Sequence, residues 1–136
     1  MNNKKIGNEF ENELAELLDE KGFWVHLLNQ NKSGQPADMI AAINGKAFLI
    51  DAKVCSRNTF DLTRIEDNQH TSMQKWRECG NGTGWFALKV DGGIYMVDYS
   101  YLNCLLKETN IKKIDLNKIM LNGYELTWWM KVVSKV

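Results

Sequence analysis

Three carboxylates and one lysine carry the chemistry that this sequence could perform: Glu11, Asp38, Asp51 and Lys53. Asp51 and Lys53 are two positions apart, so on a strand they leave the same face. The run 46–54 reads as that strand and 37–43 as its partner, because Asn44-Gly45 between them is the dipeptide that closes a two-residue hairpin. With Asn44 and Gly45 as the central turn residues, Ile43 faces Lys46, and counting back along both strands sets Asp38 directly across from Asp51. Opposed side chains of like charge destabilise a sheet unless something compensates them. The same face carries Ile40 opposite Leu49 and Ala42 opposite Ala47, so the aspartates stand at the end of an apolar floor. Acids outnumbering one lysine on such a floor leave a net negative pocket. That suits a divalent cation held by hard oxygen donors, which polarises a phosphate and lowers the pKa of a bound water for phosphodiester hydrolysis.

Elements on either side must bring the remaining groups to these strands. From Asn8 to Lys21, Phe10, Leu14, Leu17 and Leu18 recur at helical spacing, and Gly22 stands where a helix ends. At about 100° per residue Glu11 falls inside that apolar arc, whereas Glu13 joins the charged outer side. An unpaired carboxylate turned inward protonates or finds a partner, so Glu11 is the helix residue to join the site. Phe23 to Leu28 reads as another strand. Thr63 and Glu66 are spaced as a capping box for a second helix running to about Cys79, closed by Gly80. Gln69 lies within its apolar arc of Ile65, Met73 and Trp76, and an inward amide needs partners. A second hairpin spans 85–97 across Asp91-Gly92-Gly93, a short helix covers 99–107, and 125–133 reads as strand-like. The order is αβββαββ followed by a tail, in one domain with its core over about 6–98 and a C-terminal extension over 99–136.

The chain has 136 residues, 44% hydrophobic, with 17 Lys+Arg balanced by 17 Asp+Glu. It can bury a core without staples. Zero net charge removes the usual sign of a nucleic-acid binder, so a polyanion must be met by a local basic rim. Lys4, Lys5, Lys32, Arg57 and Arg64 are the candidates, in or beside loops that flank the acids in sequence; such contacts position a duplex without reading its bases. Cys55, Cys79 and Cys104 form neither a disulfide framework nor a zinc pattern and read as buried free thiols. His26 and His70 lack metal-ligand spacing, Gly80–Gly84 lacks the Lys of a phosphate loop, and Trp128-Trp129 with Tyr124 reads as packing for the tail. The polar start and the lack of a long apolar stretch point to a cytoplasmic protein.

Gly7-x-x-x-Glu11, Pro36-Ala37-Asp38 and Asp51-x-Lys53, on an αβββαβ order, resemble the PD-(D/E)xK nuclease superfamily. The sequence departs from that pattern by one residue between Pro36 and Asp38 and by Asp in place of Glu before x-Lys. Within the superfamily, GNEFENELAELL followed by GFWV resembles the archaeal and RecU-like Holliday junction resolvases, over about residues 6–90. The resemblance implies a restriction-endonuclease-like α/β core with a mixed central sheet flanked by helices. It implies Glu11, Asp38 and Asp51 as metal ligands together with the carbonyl of Ala52, Lys53 as catalytic lysine, and Gln69 as the glutamine that RecU-like enzymes place in the next helix. The expected activity is Mg²⁺-dependent (Mn²⁺ substituting) cutting of branched double-stranded DNA, with two symmetric incisions made by a homodimer. Rival readings are a nuclease of the same superfamily acting on linear, flap or modified DNA, and a non-catalytic DNA-binding module on the same fold.

Overall fold

The structure, a computed structural model, describes residues 2–28 and 35–136; Lys32 lies outside the described residues. The first helix, α1 (Asn3–Glu20), starts earlier than its apolar arc because Asn2 caps it, its Oδ1 accepting the Lys5 N–H at 2.8 Å. The chain leaves α1 through Gly22 at φ 94° and enters β1 (Trp24–Leu27), β2 (Met39–Ile43) and β3 (Lys46–Val54). After a short turn over Ser56–Asn58 come β4 (Phe60–Asp61), α2 (Asp67–Trp76), β5 (Trp85–Val90) and β6 (Gly93–Asp98). The C-terminal stretch adds α3 (Tyr99–Glu108), β7 (Lys113–Ile114), α4 (Leu116–Asn122), β8 (Tyr124–Glu125) and α5 (Leu126–Val133).

The main sheet has six strands in the order β1-β2-β3-β5-β6-β8, antiparallel except for the β3–β5 pair, whose parallel connection runs through α2. A mixed sheet with helices on both faces is the architecture expected from the sequence. Asn44 (φ 50°) and Gly45 (φ 78°) close the β2–β3 hairpin, and the register runs as counted, from Ile43↔Lys46 to Met39↔Ile50.

One position further the register slips. The Asp38 N–H donates to Ile50 O at 3.1 Å, and the Ala52 N–H goes not to a backbone carbonyl but to the Asp38 carboxylate, 2.7 Å away. Asp38 is therefore no longer a strand residue squarely opposite Asp51. Its carboxylate is held by a strand amide, which eases the opposition of two like charges.

The expectation of a single floor shared with α1 is corrected as well. Phe10, Leu14 and Leu18 of α1 pack with Met39, Ala41 and Ile50, while Leu49 packs with Met73 of α2 in the other cluster. Since Asp51 alternates with Ile50, it shares its face with Leu49, under α2. Glu11, carried by the helix on the opposite face, nevertheless lines the same cleft as Asp51.

Three local expectations also change. The Thr63 N–H and hydroxyl are taken by Asp61 Oδ1 (2.9 and 2.7 Å), leaving Glu66 as the N-cap of α2. The strand-like segment 125–133 is mostly helix, because the Glu125 carboxylate caps it through the Thr127 N–H, and Leu126, Trp129 and Met130 then bury one face. Of the thiols only Cys55 is buried, whereas Cys79 and Cys104 are exposed.

Candidate active site

Asp51 is wholly buried on β3, a strand inside the sheet with the antiparallel β2 on one side and the parallel β5 on the other. Its Oδ1 accepts from Gln69 Nε2 at 3.1 Å, and its Oδ2 lies 3.2 Å from Lys53 Nζ. That ion pair does not have the alignment of a hydrogen bond, so Oδ2 is a buried carboxylate oxygen without one. Gln69 is fixed from behind, its Oε1 accepting the Glu66 N–H at 3.0 Å at the start of α2. The inward amide flagged by its helical position thus joins the helix cap to the acid.

Asp38 uses both oxygens: Oδ2 for the Ala52 N–H, and Oδ1 for Gln35 Nε2 at 2.7 Å. Gln35 is itself tied to α2, its carbonyl accepting from Asn68 Nδ2 at 2.7 Å. Glu11 lines the same cleft from α1, half-buried. Glu13, the neighbour rejected on helical phase, instead pairs with Lys89 at 2.7 Å on the outer surface.

The electrostatics show how crowded the acids are. Burial, followed by repulsion from Asp38, pushes the Asp51 carboxyl up to about 8, with Lys53 pulling the other way. Burial and then the neighbouring Asp38 carboxyl likewise push Glu11 up to about 8. Carboxyls perturbed in this direction want either a proton or another positive charge.

Among the described residues, no three Asp, Glu, His or Cys side chains close into a ready-made coordination shell. The donor chemistry nevertheless fits a hard divalent cation. Three carboxylates face one ammonium, and Asp51 keeps a buried oxygen that the protein leaves without a hydrogen bond.

The cleft measures about 920 Å³ and brings together Glu11, Asp38, Asp51, Ala52, Lys53 and Gln69. Arg57 and Arg64 line its rim, though Arg64 is partly engaged, donating to Val54 O at 2.8 Å with its guanidinium over the Phe60 ring. Lys4 and Lys5 are exposed on the first turn of α1. His70 bonds the Tyr99 hydroxyl at 2.7 Å and His26 stacks on Trp24, outside the cleft. Sequence reasoning missed Gln35 and Lys113. Gln35 carries a readable signal, an amide three residues before an acid. Lys113 carries none, since it reaches the cleft through the long-range β4–β7 pairing.

The sequence matches the family model described as archaeal Holliday junction resolvase (Hjc) over residues 2–135. No curated protein matches it. Among solved structures, that of Archaeoglobus fulgidus Hjc, a Holliday junction resolvase from an archaeal hyperthermophile, superposes with a TM-score of 0.67 at 20% identity, covering 92% of this chain and 95% of that one. At that identity the likeness speaks for the fold. The family match runs through the C-terminal elements as well as the acid-bearing core, and the chain belongs to the archaeal Holliday junction resolvase family.

Proposed function

We propose that the protein is a Mg²⁺-dependent endonuclease that resolves four-way DNA junctions by paired incisions, acting as a homodimer. Membership of the resolvase family makes it a structure-specific DNA endonuclease. The observation that supports this site for the chemistry is the buried Asp51 carboxylate, steadied by Gln69, beside Lys53 and in one cleft with Asp38 and Glu11.

Glu11, Asp38, Asp51 and the carbonyl of Ala52 are the groups that would hold the ion, Mg²⁺ or Mn²⁺, which supplies phosphate polarisation and a water of lowered pKa when bound. Lys53 is poised to orient the attacking water and to offset charge that builds on the phosphoryl oxygens. Gln69 and Gln35 keep Asp51 and Asp38 from turning away, as groups behind a metal ligand do. Lys4, Lys5, Arg57 and Arg64, together with Lys32, which lies outside the described residues, would contact phosphates and set the duplex in place. A two-fold dimer would present two such clefts to equivalent strands, which symmetric cutting requires.

The test is the initial rate, with Mg²⁺, on a synthetic four-way junction against a flap and a linear duplex of the same sequence. The proposal expects the junction to be cut fastest, by paired nicks opposite each other. Equal rates on all three would replace it with a general nuclease of the same fold.

A further inference from the structure

The turn that follows β3 holds two consecutive non-glycine residues with left-handed backbone, Arg57 (φ 56°, ψ 28°) and Asn58 (φ 55°). Asn tolerates this region because its short side chain bonds locally, but Arg does not favour it. Such a pair persists only where the surroundings over-determine it. Part of the restraint is local: the Thr59 N–H donates to Ser56 O, and the Thr59 hydroxyl to Arg57 O, both at 3.2 Å.

The rest comes from 33 residues away. Asn58 Oδ1 accepts the Asp91 N–H at 2.7 Å, and Asn58 Nδ2 donates to Asp91 Oδ2 at 3.3 Å. Asp91 opens the β5–β6 turn, whose next residue, Gly92, takes the positive φ of 84°. Strands β3 and β5 are neighbours, and the Cys55 N–H extends their pairing by bonding Lys89 O at 2.9 Å. The clasp therefore locks the exit of β3 onto the end of β5. Its effect is to set Arg57, an exposed cation, into the wall of the acid cleft. Among the described residues its guanidinium has no hydrogen-bond or ion-pair partner.

We infer that the Asn58–Asp91 clasp is a positioning device that holds Arg57 as a clamp on a DNA backbone phosphate beside the bond to be cut. The inference rests on the junction-cutting reading and adds that grip on the substrate is set from the β5–β6 turn. Asn58 is a positioning residue, acting through Arg57.

The experiment measures equilibrium binding of a synthetic four-way junction in EDTA over a range of salt concentrations. It compares wild type, Arg57→Ala, Asn58→Gly and the double variant. Glycine keeps the left-handed backbone accessible and removes only the clasp, so this variant folds. Both single variants are expected to bind severalfold more weakly and to lower the slope of log K against log salt by about one, the signature of a lost phosphate contact. The double variant is expected to be no weaker than Arg57→Ala, because the two changes act on one contact. A purely structural turn would instead lower the melting temperature and leave the slope alone. Wild-type slope and affinity in Asn58→Gly, or a loss that adds fully to that of Arg57→Ala, would overturn the inference while leaving junction binding intact. A wild type that prefers no junction over a matched duplex would remove the functional reading and the inference with it.

Discussion

Asp51 is the residue around which the candidate site is built. It is a charged side chain in the centre of a sheet whose protein partners are one amide and one ammonium. Replacing it by Asn removes the buried repulsion with Asp38, so Asp51→Asn is expected to raise the melting temperature of the metal-free protein at pH 8, seen by calorimetry. Lys53→Ala is expected to lower single-turnover cleavage by roughly 10² to 10³-fold with junction binding retained. Gln69→Ala, which frees Asp51 and loosens the start of α2, is expected to cost about 10- to 100-fold in activity or Mg²⁺ affinity. Unchanged cleavage in Lys53→Ala would show that the ammonium is only a structural counter-ion. These residues were legible in the sequence because each breaks a pattern: Glu11 and Gln69 interrupt apolar helical arcs, and Asp51 interrupts an apolar strand. Lys113 breaks no pattern and stays invisible until β4 and β7 pair.

At the scale of elements, α2 connects the parallel strands β3 and β5 and carries Gln69 to Asp51, so its seat on β5 governs the site. Gly84, just before β5, lies tightly against α2: a Cβ there would fall inside the van der Waals envelope of Met73 Sδ, and Met73 is fully buried. Gly84→Ala is expected to destabilise the fold by about 1–3 kcal/mol through overpacking, measured by denaturant unfolding, and to lower cleavage with it. The β2–β3 hairpin was readable to the residue because Asn-Gly admits few turns and period two fixes the rest. The slip at Asp38 was not readable, since a side chain replaced a backbone acceptor there. Segment 125–133 misled for a related reason. Its alternation of apolar residues fits a strand, and only the Glu125 cap and the open face of the sheet select the helix.

For the whole molecule, a formal charge of zero coexists with a site dense in acids, and pH tests that density. Folded Asp51 and Glu11 keep their protons up to about 8, against ordinary values of 3.8 and 4.5. The folded chain therefore binds more protons than the unfolded chain across that window. Their contribution to stability is complete below the window, declines as pH rises through it and is gone above about 8. In EDTA the melting temperature is expected to fall along this course, and Mg²⁺ to restore more of it at pH 8 than at pH 5, where protons compete for the same oxygens. A Mg²⁺ effect independent of pH would remove these carboxylates from the binding site. We propose these carboxylates as the catalytic metal site of a resolvase. The most direct test is single-turnover cleavage of a four-way junction by wild type and Asp51→Asn across a Mg²⁺ titration. Wild type is expected to give paired, Mg²⁺-dependent nicks and Asp51→Asn none at any Mg²⁺ concentration, although the variant still binds the junction. Cleavage by Asp51→Asn at the wild-type rate would contradict this assignment.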